Sequence, residues 1–141
     1  VSAEVYVMPS YQKFDLADYR LNEKEKAFGV RGSYSMGYAG GGGDWELLQL
    51  FRIVGDKLVM ILSVEMYELQ NIAGSWHDDG TRDHDISEYK ATLHVLKSKT
   101  GGFYNLMIKS EGKVIDTLYW DSEVGRYPFR HLDAESGEFL Y

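Results

Sequence analysis

The feature that most limits what this chain can become is an alternation on either side of a two-residue break. Leu58, Met60, Leu62, Val64 and Met66 are apolar at every second position, with Val59, Ile61, Ser63 and Glu65 on the other parity. A period of two suits a pleated strand, whose successive side chains point to opposite faces, and a helix would smear it around its circumference. The run before the break, 46–54, is apolar on both parities except at Glu46, Gln49 and Arg52, the pattern of a central or covered strand. Gly55 and Asp56 between the runs tolerate turn conformations. The expectation is a long antiparallel hairpin, 45–54 with 58–69, with the even positions of 58–66 inward and Glu65 outward.

The rest of the chain continues in the same mode. Residues 4–8 read as a short first strand ended by Pro9. Over 14–27 an extended segment with a charged turn at 22–26, followed by a strand over 27–34, competes with a single surface helix suggested by the spacing of Phe14, Ala17 and Leu21. Four consecutive glycines, Gly40 to Gly43, read as a mobile connection. As a phosphate cradle the stretch fails, because no lysine with serine or threonine closes it and Asp44-Trp45 opens a strand instead of a helix. Strands follow over 88–97, 103–109, 114–120, 126–132 and 139–141, with turn glycines at 101, 112, 125 and 137. These elements make an all-β fold: one domain over residues 1–141, an antiparallel meander of about seven to nine strands forming a barrel or a two-layer sandwich, with at most one short helix.

Composition removes several classes of function. With 141 residues the chain can bury a core without staples, and it has no cysteine, so disulfide frameworks and thiolate metal sites are excluded. A formal charge of −7 with scattered lysines does not make the basic stripe that nucleic acid requires. No apolar run approaches the roughly twenty residues of a membrane span. The sequence opens at Val1 with Ser2 and Ala3, which leads to the expectation of an exported protein, periplasmic or extracellular, whose leader or lipid tether has been removed.

The candidate site lies in the longest polar stretch, 70–87, expected to be a long loop. His77, Asp78, Asp79, Asp83, His84 and Asp85 put two imidazoles and four carboxylates within nine residues, with Trp76 and Arg82 beside them. Imidazole with carboxylate suits zinc, manganese or iron, and His77, Asp79, His84 and Asp85 are the candidate ligands. The calcium-loop template fails, because Glu88 stands where it requires a glycine. A solvated acidic loop, with Arg82 pairing locally, outweighs a metal or partner-binding site. Covalent catalysis finds no cysteine and no Gly-x-Ser-x-Gly elbow, and Glu46, Glu65 and Glu68 read as outward acids before they read as a glycosidase pair. His94 falls on a polar strand face beside Lys90 and Thr92. Trp45, Trp76 and Trp120 could form a stacking platform, although such rings more often pack a core or rim. The sequence therefore points to a non-enzymatic exported β domain that needs no cofactor. It would bind a protein, as an inhibitor, immunity factor or assembly lipoprotein does, through the 73–87 and 37–44 stretches. A carbohydrate- or small-ligand-binding barrel and a metal-binding protein are the alternatives.

Overall fold

The alternation around Gly55 is the backbone of the fold. A computed structural model describes residues 11–38, 40–132 and 139–140. In it β3 (Gly41–Val54) and β4 (Lys57–Trp76) form the expected antiparallel hairpin. Gly55 turns it at a φ of 64°, a left-handed conformation that a side chain would crowd. β1 (Tyr11–Asp15) and β2 (Phe28–Tyr38) precede the hairpin and β5 (Arg82–Lys90) follows it, and the five strands make one antiparallel sheet in chain order. β6 (Thr92–Thr100), β7 (Phe103–Ser110) and β8 (Lys113–Leu118) make a second sheet, again in chain order. The short β9 (His131–Leu132) and β10 (Phe139–Leu140) pair with each other. The eight long strands form a sandwich-like meander that does not close into a barrel. The first strand expected over 4–8 and the turn glycine at 137 lie outside the described residues.

Segment 14–27 is extended, not helical: after β1 it bends, and the Asn22 carboxamide accepts the N–H groups of Lys24 and Glu25 to form the charged turn. Its Tyr19, Leu21 and Ala27 are buried. The Leu21 carbonyl accepts the Tyr104 N–H at 2.8 Å, and Glu25 takes a two-pronged ion pair from Arg52, whose guanidinium lies 4.9 Å over the Phe103 ring. The segment is thus held to both sheets by polar contacts as well as by its buried side chains.

The two sheets meet through Leu48 and Leu50 of β3 and Leu62 and Val64 of β4, packed with Leu106 and Ile108 of β7 and Leu118 of β8. β4 does not keep one parity inward. Leu50 pairs with Leu62 but Phe51 pairs with Met60, leaving Ile61 as an extra residue, and a second bulge leaves Met66 extra between Glu65 and Tyr67. Each bulge switches which parity faces the core. As a result Leu58, expected inward, is 62% exposed; between the bulges Leu62 and Val64 keep the expected parity, and Glu65, paired with Leu47 on the opposite face as expected, is nonetheless only 4% exposed.

The edge of β4 that faces away from β3 is shared out along its length. Residues 67–76 pair with β5. Beside residues 61–65 the chain returns from the β8 end as a parallel addition: Ile61 and Ser63 carbonyls accept the Tyr127 and Arg130 N–H groups at 2.9 Å each, and the Glu65 N–H reaches the Arg130 carbonyl at 3.1 Å. This is why 126–132, expected as a further meander strand, forms only a bridge and the short β9. Every residue from Ile61 to Met66 is buried.

Candidate functional site

Beyond Met66 the five-stranded sheet leaves its partner layer behind. The second half of β2 and β5, the first half of β3 and the second half of β4 run on as a wing, and no residue of 67–90 belongs to the buried hydrophobic core. Two expectations are corrected here. The glycine-rich stretch is not a mobile connection: Gly41, Gly42 and Gly43 are the first residues of β3, paired with both β2 and β4. The polar stretch 70–87 is not a long loop either, because 57–76 and 82–90 are strand and only 77–81 turn. The sequence hid both, since glycine and aspartate are poor strand formers, and pairing overrides that preference, on both sides for the glycines and with β4 alone for the aspartates of β5.

The turn is closed by its own polar groups. The His77 N–H donates to the Thr81 carbonyl at 2.7 Å and the Gly80 N–H to the His77 carbonyl at 3.1 Å, with Gly80 at a φ of 86°. The Asp79 carboxylate accepts both the hydroxyl and the N–H of Thr81, and those bonds hold its pKa below the usual carboxylate range. His77 Nε2 lies 2.6 Å from Asp83 Oδ1. Arg82 donates to the Gly74 carbonyl at 2.9 Å while its guanidinium lies 4.9 Å over the exposed Trp76 ring. The carbonyl of Gly40 accepts the Ala73 N–H at 2.6 Å, so the tip of the β2–β3 hairpin sits beside the β4–β5 hairpin. The two stretches expected to act together do share one end of the molecule.

The metal set does not assemble. His77 is bonded to Asp83, Asp79 to Thr81, and His84 Nδ1 stands 3.1 Å from the Asn71 carboxamide oxygen. His84 and Asp85 pair with Ala73 and Ile72, neighbours that alternate between the two faces of the sheet. Among the described residues no group of three histidine, aspartate or glutamate side chains could hold a metal ion. Of the binding set, Trp76, His77, Asp78, Asp79, Asp83, His84 and Asp85 are exposed and Arg82 is half-buried.

The two faces of the wing differ. On the outer face Tyr34 stacks on Trp45, with centroids 5.4 Å apart and planes at 10°, and the indole lies so close over Gly43 that a Cβ there would come within 2.5 Å of it. Cross-strand pairing aligns Tyr34, Trp45, Glu68 and Tyr89 in one row. Glu68 is buried, accepts from the Gln70 carboxamide, and has its second oxygen, Oε2, without a hydrogen-bond partner among the described residues. Burial, reinforced by Glu65 and Glu68, pushes the Tyr34 phenol up to about 12; burial does the same at Tyr89, against the opposing pull of Arg130. On the other face an open groove of about 480 Å³ runs over the glycines, lined by Ser35, Asp44, Leu69 and Asn71.

Sequence reasoning missed two features. Glu65, Glu68, Gln70 and Arg130 form a buried polar seam where the wing leaves the core, and Arg130 is ion-paired with Asp116 of β8. On the outer face of the body, Phe14, Phe28, Ile53 and Leu58 are all more than half exposed around a groove of about 420 Å³. The signal for the second was β3 being apolar on both parities, which reads as burial on both sides. His94 is exposed and bonded to the Thr92 hydroxyl at 2.8 Å, as expected of a polar strand face.

The fold and this wing define an open β-sandwich with a bare sheet extension. Comparisons of the chain with protein-family models, curated proteins and solved structures found no match. Among the described residues no helix is long and apolar enough to cross a membrane.

Proposed function

We propose that this domain is a non-enzymatic binding module that holds a basic protein partner on its wing. The observation that carries the reading is the segregation of charge. The wing strands and their turns, 33–46 and 66–90, contain eight acids (Asp44, Glu46 and Glu68, then Asp78, Asp79, Asp83, Asp85 and Glu88) against two bases, Arg82 and Lys90. Eight acids against two bases give −6, out of −7 for the whole chain. Glu68 is buried and Glu46 is paired with Arg31, but the other six are exposed; like charges so placed repel one another, and a basic surface turns that repulsion into attraction, faster encounter and partner choice. The rigid pairing of β2 to β5 holds these side chains in place, which lowers the ordering cost of binding.

The test is a pair of baits, the wild-type chain and a variant with Asp78, Asp79, Asp83 and Asp85 changed to asparagine, exposed to the same cell extract. A species retained by the wild type, released by salt and lost with the variant supports the reading once it re-forms a stoichiometric complex from purified components. Identical retention by both baits overturns it. Small-ligand binding has one observation in its favour, the glycine-floored groove beside Asp44 and Asn71. Titration with neutral oligosaccharides tests it, and a shift of the Asn71 and Ser35 amide resonances would place such a ligand there.

A further inference from the structure

We infer that the partner is taken up by strand addition: the outer edge of β5 receives an extended, lysine- or arginine-bearing segment as a sixth strand. The inference rests on the acidic-wing reading and names its geometry. β5 is the terminal strand of the sheet, β4 lying on its inner side and no strand among the described residues on its outer side. It is nine residues long and exposed from Asp83 to Glu88, with no proline and no glycine, and its pairing with β4 runs without a shift from Ala73 to Tyr67. Exposed edges are ordinarily blunted by short length, proline, bulges or lysine, and β5 has a single lysine, Lys90, at its inner end. What it has instead are Asp83, Asp85 and Glu88.

That charge decides between occupants. A second copy of this chain pairing edge to edge would set three carboxylates against three, and like charges placed opposite one another destabilise a sheet. A basic strand meets the reverse situation. Asp85 and Glu88 project from opposite faces three residues apart, so a segment with bases three positions apart reaches both, while Ile86, 68% exposed, offers an apolar contact between them. Main-chain hydrogen bonds supply affinity in this mode and the side chains supply choice. The protein already completes a sheet edge in this way, where residues 127–130 add in parallel to β4 beside Glu65.

The experiment uses the full 141-residue chain and two acetylated, amidated nine-residue peptides of lysine, valine and threonine. They have the same sequence, and one is N-methylated at every second residue, which keeps the charge but removes the hydrogen-bond donors of one strand edge. Binding is followed by calorimetry at low and raised salt, and by amide hydrogen exchange. The expected result is that the unmodified peptide binds and slows exchange in β5, that N-methylation weakens it about tenfold or more, and that Asp83→Asn with Asp85→Asn weakens it several-fold. Equal binding of both peptides, lost on neutralising the aspartates, overturns strand addition and leaves the acidic-wing reading standing. Binding that ignores the aspartates, or no binding at low salt, overturns both.

Discussion

β4 is one strand with two fates. From Ile61 to Met66 every residue is buried, the second sheet packs on one face and the returning chain at 127–130 fills the edge. From Asn71 to Trp76, where pairing with β3 ends at Ile72 and pairing with β5 is interrupted between Ala73 and Trp76, four of six residues are exposed and the side chains are polar, small or solvent-facing. The comparison separates two things that usually travel together. Backbone pairing makes a strand, whereas burial of apolar area makes stability, at roughly 25 cal/mol per Å². The wing has the first with little of the second, the distribution of a region that opens locally at low cost.

The largest expected effect tests that separation directly. Leu62→Ala removes a fully buried side chain from the face packed on β7 and should cost about 2–5 kcal/mol in urea melts, as should a comparable truncation elsewhere in the core. Ile86→Ala, on an exposed face of the wing, should stay within about 0.5 kcal/mol of wild type. Equal losses at the two positions would mean that the wing is covered.

Next in size is Glu65→Ala, at the boundary between the halves. A surface acid there would be neutral to remove, but a side chain only 4% exposed in the polar seam leaves buried groups behind, and the expected loss is about 1–3 kcal/mol. A melt unchanged from wild type would place the seam in water.

These two variants mark what could be read from residues alone. The hairpin about Gly55 and the all-β meander were legible because period two and turn glycines are local signals, whereas 14–27, where Phe14, Ala17 and Leu21 suit a helix as well as an extended chain, stayed open. The bulges at Ile61 and Met66 were not legible: a bulge is a disagreement in register between two strands, and neither strand displays it alone. The bulge at Ile61 misplaced Leu58, whereas Glu65 has the expected parity and only its burial, at 4% exposed, was not legible. In the candidate site the cluster of acids and imidazoles was legible, but not the short turn at 77–81, the glycine hairpin beside it, or that Asp83 to Asp85 are strand, since their low β-propensity is overridden by pairing with β4.

The third expectation concerns pH. Tyr34 and Tyr89 are held protonated up to about 12 in the folded chain, while an unfolded tyrosine releases its proton near 10. Between those values the unfolded state has already lost its protons and the folded state has not, so stability is full below about pH 10 and falls as pH rises towards 12. Urea midpoints followed with phenolate absorbance should show this decline, and Tyr34→Phe should reduce it. A flat profile through that interval would mean that the wing's outer row is open to solvent.

The smallest expected effect on stability is the most telling for function. Asp79→Asn with Asp83→Asn changes two exposed carboxylates at the wing tip. Asparagine at 79 can still accept from Thr81, and the exposed contact of His77 with Asp83 belongs to a class worth roughly 0–1 kcal/mol, offset here by relief of repulsion among neighbouring acids. Melting should therefore be unchanged or slightly raised. A chelator should leave wild-type melting where it was, because three of the four candidate ligands, His77, Asp79 and His84, are turned to different partners. Binding of a basic partner should nonetheless weaken, and its salt dependence should flatten, because two attractive charges are gone from the surface that steers it. If melting fell with the substitutions and the chelator reproduced the fall, the tip would be a metal site and the contrast between a stabilising half of β4 and a binding half would fail at its outer end.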